Sequence, residues 1–249
     1  MSHRAAADAA SPFPPDIAFA LLPPGGAEPP LLPEERGLLS ARALPERRGE
    51  FARGRACARE AMARLGFADA PRQPILRAGA RAPRWPEGLV GAISHSHGWA
   101  AAAVSWRRLY TGVGLDVERP HSAKPSLLDR IGLPEEADWL DSVPPAGRPR
   151  AFALLFSAKE SIYKALNPAS GVFLGYHDAR VAFPQDVADA TAKAPESAQR
   201  AESALPIASG RFRWHLLRDS GPAFPSGYRG DGGYVLFAER VITGVWVRA

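Results

Sequence analysis

The sequence predicts an α+β protein of two similarly ordered halves. Two long stretches have apolar residues at helical spacing, each follows a proline-rich segment, and each is succeeded by a run of strand-like segments. Residues 1 to 33 are rich in Ala and Pro; Pro23-Pro24, Pro29-Pro30 and Pro33 interrupt any helix and leave room for one strand, Ile17 to Leu22. From Pro45 to Leu65, the positions of Phe51, Ala52, Ala56, Ala58, Met62 and Leu65 predict a helix. Arg47, Arg48, Arg53, Arg55 and Arg59 form its basic flank, and Gly66 stops it.

Residues 71 to 91 read as a Pro/Gly/Arg loop. Gly91 to Ser94, Trp99 to Trp106 and Tyr110 to Glu118 read as strands, the last ended by Pro120. After a connector around Pro144 to Pro149, Phe152, Leu155, Phe156, Ile162, Tyr163 and Leu166 predict a second helix, Arg150 to Leu166, with Asn167-Pro168 as terminator. Val172 to Phe183 reads as strands and 185 to 209 as an exposed loop or frayed helix. Phe212 to Leu217 and Tyr234 to Val247 supply closing strands, with the Gly-rich segment Arg229 to Gly233 as a hairpin connection.

The chain has 249 residues, 46% of them hydrophobic, enough for a sizeable core in one domain or two. Its longest uncharged apolar stretch, Trp99 to Trp106, is far short of the roughly 20 residues that cross a bilayer. The opening Met-Ser-His-Arg lacks the apolar core of a secretory signal, and the single cysteine, Cys57, allows no internal disulfide. A cytoplasmic location is therefore expected. A net charge of +5 points to anionic partners without arguing for nucleic acid. The basic residues divide into 27 arginines and four lysines, Lys124, Lys159, Lys164 and Lys193. A GC-rich genome accounts for the arginines, so the retained lysines are the informative exceptions: a compact ammonium is not interchangeable with a rigid guanidinium.

Three constellations could carry chemistry. In Gly112-Val113-Gly114-Leu115-Asp116-Val117-Glu118, strand alternation turns the valines and leucine to a core and sets the glycines, Asp116 and Glu118 on the other face. Two carboxylates side by side call for a cation, Mg²⁺ suiting oxygen-only ligands, and the glycines would let a bulky ligand approach. Taken alone, Asp-x-Glu also fits a solvated strand edge with Arg119 as counter-ion. In Phe156-Ser157-Ala158-Lys159-Glu160-Ser161-Ile162-Tyr163-Lys164, Glu160 and Lys164 share a helix face, either as an ordinary ion pair or as a third metal ligand and a phosphate contact. In Ile93-Ser94-His95-Ser96-His97, serine and histidine in a turn could bind phosphate; zinc is disfavoured, with no cysteine pair or His-rich partner. No G-x-S-x-G elbow, G-x-x-x-x-G-K-[ST] loop or helix-opening G-x-G-x-x-G occurs, and Cys57 reads as an inert packing residue.

Taken in order, Ser94-His95-Ser96, Gly112 to Glu118 and Phe156 to Lys164 resemble the 4′-phosphopantetheinyl transferase superfamily. Arg55 in Ala-Arg-Gly-Arg, Pro83-Arg84-Trp85-Pro86, Gly91 to His95 and Val172 to Tyr176 are similar to its enterobactin synthase component D type, from about residue 40 onward. The resemblance implies a monomer of two similar α/β halves related by pseudo-twofold symmetry. Residues 1–110 would make the coenzyme A nucleotide contacts, and residues 111–249 would carry the Mg²⁺ and catalytic residues. It implies Asp116, Glu118 and Glu160 as metal ligands and Glu160, Lys164 and Asp116 as catalytic residues. Arg48, Arg55, Arg81, Ser94, His95, Asp116, Lys159 and Lys164 would be the coenzyme contacts. The implied reaction moves the phosphopantetheine arm of coenzyme A to a serine of an apo acyl or peptidyl carrier protein in siderophore, polyketide, nonribosomal peptide or fatty-acid synthesis. The product is adenosine 3′,5′-bisphosphate, and neither nucleic acid nor membrane is a partner. His97, the 119 to 149 connector, which lies where the family meets its carrier, and the length of 185 to 209 depart from the family's pattern. The rival readings are a Mg²⁺-dependent phosphoesterase or nuclease on the same carboxylates, and a non-catalytic anion-binding module built on the arginine helix 47 to 59.

Overall fold

Strand Trp99–Trp106 sets the layering in the computed structural model, which describes residues 11–40, 42–79, 82–120, 127–192 and 206–249. Ala100, Ala102 and Val104 pack beneath a helix, whereas Ala101 and Ala103, on the opposite face, meet a second sheet. The first sheet runs β1 (Ala18–Leu22), β5 (Trp99–Trp106), β4 (Leu89–Ser96), all antiparallel. Its outer face carries α2 (Pro45–Arg64) through Cys57, Ala58, Ala61 and Met62; a four-residue α1 (Pro33–Arg36) precedes that helix. A small hairpin of β2 (Leu76–Ala78) and β3 (Ala82–Arg84) lies between α2 and β4 in the chain.

The second sheet runs β6 (Tyr110–Glu118), β10 (Val241–Arg248), β9 (Arg229–Leu236), β8 (Ala208–Leu216), β7 (Ala179–Ala182), antiparallel throughout. Val113, Leu115, Val117, Val235 and Ile242 face the first sheet. The opposite face buries Phe212, Trp214, Leu236 and Val245 against Leu154, Leu155, Ala158 and Ile162 of α5 (Arg148–Ser170). The layers are thus helix, sheet, sheet, helix, an α+β architecture with its central core between the sheets. No helix among the described residues is long and apolar enough to cross a membrane.

Several expectations change. The Asn167-Pro168 terminator does not end α5: Pro168 forfeits one backbone donor, the helix continues to Ser170, and Gly171 closes it at φ 70° with its N–H on the Asn167 carbonyl. The Gly-rich segment Arg229 to Gly233 is strand β9 itself, not a turn. A Cβ on Gly230 would lie 2.4 Å from Trp214 and one on Gly232 2.1 Å from Phe212, so the glycines make room for aromatic rings. Of Val172 to Phe183, only Ala179–Ala182 is a strand, preceded by a 3₁₀ turn at Tyr176–Asp178. The 71 to 91 loop holds the β2–β3 hairpin, and the 119 to 149 connector holds α3 (Leu128–Ile131) and α4 (Pro134–Ser142). Asp186–Ala192 forms α6, and residues 193–205 fall outside the described residues.

Candidate active site

The face of β6 expected to admit a ligand admits helix α5 instead. A Cβ on Gly114 would lie 1.9 Å from the Ser161 carbonyl oxygen, and one on Gly112 2.4 Å from that of Ala165. Without those side chains the helix backbone settles onto the strand. Ser161 Oγ donates to the Thr243 carbonyl at 3.1 Å, and the Ser157 and Thr243 hydroxyls lie 2.8 Å apart; Thr243 stands opposite Asp116 in the β6–β10 ladder. This close seat delivers Lys164 to the strand's acidic end, where its Nζ is 2.6 Å from Asp116 Oδ1.

Asp116 is 4% exposed. Its Oδ1 accepts from Lys164 and from Ser94 Oγ at 3.0 Å, while Oδ2 is buried without a hydrogen-bond partner. The Ser94 hydroxyl in turn accepts from the Val117 N–H and from Lys164, so Ser94 belongs to the carboxylate group. Glu118 is pushed up to about 7 by burial and by the negative charges of Asp116 and Glu160, against Lys164 and the Arg119 N–H. Burial pulls Lys164 down, but the charge and hydrogen bond of Asp116, with Glu160 and Glu118, outweigh it and hold the ammonium above its ordinary range. Glu160 Oε1 accepts from the Tyr176 hydroxyl at 2.7 Å.

Asp116, Glu118 and Glu160 fit a hard divalent cation. All are oxygen donors, one buried oxygen is orphaned, and the excess negative charge shows in Glu118. They are not drawn up around a common point: among the described residues no three acids, histidines or cysteines form a ready metal cage. Lys164 supplies the neutralising charge in this arrangement.

A basic group lies along α2. His95 Nδ1 is 3.2 Å from Glu50 Oε2, and its Nε2 is 3.1 Å from Arg47 Nη1. Arginine only donates, so Nε2 accepts and Nδ1 carries the proton toward Glu50. Burial, Arg47, Lys164 and Arg55 lower the His95 pKa, against Glu50. Arg55 stacks over Phe51 at 4.0 Å and donates to the Ile75 carbonyl; burial pushes it down to about 10, with Arg77, Arg59 and Arg47 adding to the fall against Glu35.

Other predicted residues lie elsewhere. Arg48 donates to the Ala43 carbonyl, and Arg47, one residue earlier, is the arginine on His95. Arg81 falls outside the described residues. Lys159, expected on the coenzyme, points into the protein: its Nζ pairs with Glu136 Oε2 at 2.9 Å and donates to the carbonyls of Tyr176 and Ala179, leaving no donor for a phosphate. Arg47 stands in the sequence only as part of the basic flank and Tyr176 only as the end of the Val172 to Tyr176 segment, neither with a role of its own. Glu50 and Glu136 carry no expectation, although Leu133-Pro134-Glu135-Glu136 repeats Leu32-Pro33-Glu34-Glu35.

Beside the carboxylates a cleft of about 740 Å³ opens between the β2–β3 hairpin, β4 and α5. Pro83, Ile93, Tyr163 and Phe173 give it apolar walls, and Glu160 and Lys164 border it. Phe173 is 71% exposed, its ring edge-on to Tyr163 with centroids 5.6 Å apart.

Residues 34–105 match the 4′-phosphopantetheinyl transferase N-terminal domain, and residues 112–213 match the 4′-phosphopantetheinyl transferase superfamily. The chain is 38% identical over 210 residues to 4′-phosphopantetheinyl transferase PptT of Mycobacterium tuberculosis, covering 82% of this chain and 88% of that protein. It is 39% identical over 165 residues to 4′-phosphopantetheinyl transferase Svp of Streptomyces mobaraensis, spanning 66% of this chain and 65% of that protein, just under two thirds of its length. Enterobactin synthase component D of Salmonella typhimurium is 36% identical over 129 residues, 49% of each chain.

Proposed function

This chain belongs to the 4′-phosphopantetheinyl transferase superfamily, and from that premise we propose how its residues move the 4′-phosphopantetheine arm of coenzyme A to a serine of an apo acyl or peptidyl carrier protein. The observation that carries the reading is the Lys164 ammonium set among Asp116, Glu118 and Glu160 at the border of an apolar cleft. Asp116, Glu118 and Glu160 would hold Mg²⁺, which when bound neutralises pyrophosphate charge and polarises the phosphorus. Lys164 binds the pyrophosphate and balances charge as it redistributes toward the leaving group. Glu160 takes the serine proton as the serine oxygen bonds to phosphorus, and the bond from that phosphorus to the nucleotide half breaks, releasing adenosine 3′,5′-bisphosphate with the electron pair. His95, Arg55 and Arg47 bind the nucleotide phosphates, with Arg48 at their margin. Ser94 holds Asp116 and Lys164 in place. The cleft would receive the pantetheine arm.

The two halves, 1–110 and 111–249, would be related by a pseudo-twofold axis. Each lays a long helix over an antiparallel sheet, and each opens a short helix with Leu-Pro-Glu-Glu whose second glutamate is buried against a cation of its long helix: Glu35 with Arg59, Glu136 with Lys159. The two family matches meet between residues 105 and 112. A cytoplasmic monomer is the expected form, and carriers of siderophore, peptide and polyketide assembly are the acceptors to try.

The test is to mix the protein with coenzyme A, Mg²⁺ and several apo carrier domains and weigh the carriers intact. Gain of the phosphopantetheine arm, abolished by EDTA, supports the reading; no gain on any carrier overturns it.

A further inference from the structure

We propose that Tyr176 is a positioning residue for Glu160, held in place by the buried Lys159–Glu136 pair; this deepens the transferase reading above. Tyr176 opens the 3₁₀ turn Tyr176–Asp178, and its hydroxyl donates to Glu160 Oε1 at 2.7 Å. The same residue's carbonyl accepts from Lys159 Nζ at 2.7 Å, and that ammonium also donates to the Ala179 carbonyl at 2.9 Å. Lys159 is fixed in turn by Glu136, both side chains being 2% exposed. The free energy of burying that pair is offset by a filled set of bonds: Glu136 Oε1 accepts the Val181 N–H and Oε2 the Leu133 N–H, each at 2.7 Å. The Tyr176 ring rests on Phe156, with centroids 5.7 Å apart.

Lys159 and Glu160 are consecutive in α5, so their side chains leave the helix about 100° apart. The first points inward and pins the turn; the second meets the hydroxyl of the turn so pinned. One helical step thereby fixes both the turn and the carboxylate.

The phenol also decides which partner Glu160 keeps. Glu160 and Lys164, four residues apart, would ordinarily close an ion pair along the helix. Here Tyr176 holds Glu160, and Lys164 lies on Asp116 instead. Loss of the phenolic hydroxyl lets Glu160 swing to Lys164, misplacing the proton acceptor and drawing the ammonium off Asp116. No described residue bonds Glu160 Oε2, so the held carboxylate presents that oxygen. A glutamate held in advance does not have to be ordered during the reaction.

Tyr176→Phe keeps the ring on Phe156 and removes the donor. The expected result is a fall of about tenfold in kcat for carrier modification, with KM for coenzyme A within about twofold, the size expected for one hydrogen bond to a charged group. The thermal melt should stay at the wild-type temperature. Direct Mn²⁺ binding, followed by electron paramagnetic resonance, should weaken by about threefold, and Tyr176→Phe added to Glu160→Gln should weaken it no further. An unchanged kcat overturns the proposal, as does an equal loss of Mn²⁺ affinity in the Glu160→Gln background, because the tyrosine would then act elsewhere. Should wild-type protein modify no carrier, the transferase reading fails while the Mn²⁺ cycle still tests the coupling of Tyr176 to Glu160.

Discussion

Lys164 Nζ reaches 2.6 Å from Asp116 Oδ1 because the strand beneath it lacks side chains at Gly112 and Gly114. A methyl group at Gly114 would fall 1.9 Å from the Ser161 carbonyl oxygen, a backbone atom in mid-helix that cannot turn aside. Gly114→Ala should lift α5 off β6, with a loss of about 3 kcal/mol or more in urea unfolding and of carrier modification in the protein that remains folded. A stability within about 0.5 kcal/mol of wild type would mean that the helix is not held this way.

Lys164→Met separates charge from packing. The methionine keeps most of the side-chain stem, while Asp116 is left buried with neither oxygen on a cation. Lys164 is itself 28% exposed, so the destabilisation should be about 2 kcal/mol, half that of breaking a fully buried pair. Transfer should fall by roughly a hundredfold, the scale of losing one charge-stabilising donor. With the competing ammonium gone, Mn²⁺ should bind the coenzyme-free protein more tightly than wild type, as read by paramagnetic titration; weaker binding would show that Lys164 does not compete with a metal.

The two buried acids should behave alike. Glu35 is fully buried, with Arg59 Nη1 at 2.7 Å and the Ile75 N–H at 3.0 Å on Oε1; Glu136 has Lys159 at 2.9 Å and the Val181 N–H. Glu35→Ala and Glu136→Ala should each cost about 3–5 kcal/mol, since each strands a cation and a backbone donor in the interior. A large effect at one and none at the other would count against the proposed correspondence of the two halves.

The parts of this molecule legible in its sequence are those fixed by local period. Alternation marks strand Tyr110–Glu118 to the residue, helical spacing marks both long helices, and Asp116, Glu118, Glu160 and Lys164 converge on one region. What was missed depends on neighbours distant in the chain. Glycine at 112 and 114 means only an absent side chain until α5 is known to lie there, and the glycines of β9 read as a turn because Trp214 and Phe212 cannot be foreseen across the sheet. Lys159 and Lys164 look equivalent as retained lysines; helical rotation sends one to Glu136 and the other to Asp116. The same rotation separates Arg47, on His95, from Arg48, on Ala43.

Cys57 should be silent in the folded protein. Burial pushes its thiol up to about 12, and its Sγ donates to the Ala100 carbonyl at 3.3 Å, so almost no thiolate exists near neutral pH. A disulfide reagent should label it only after denaturant is added; rapid native labelling would mean that α2 opens away from the first sheet.

His95 should make the protein's stability and its coenzyme binding depend on pH in a defined window. Burial, Arg47, Lys164 and Arg55 lower its folded-state pKa below the ordinary 6.5, Glu50 opposing them. The unfolded chain therefore takes up the proton first as pH falls. The stability contributed by the neutral ring is fully present above about pH 6.5 and is lost as pH drops below it. Wild type should lose stability between about pH 7 and pH 5 more steeply than His95→Asn, which cannot titrate there; equal slopes would remove His95 from the account. A phosphate arriving beside the ring reverses the balance of charge, so coenzyme A binding just above that window should take up a proton. Calorimetry in two buffers of different ionisation enthalpy reads that uptake directly. Its loss in His95→Asn, with binding still measurable, would assign the proton to this ring and place the nucleotide phosphates against it.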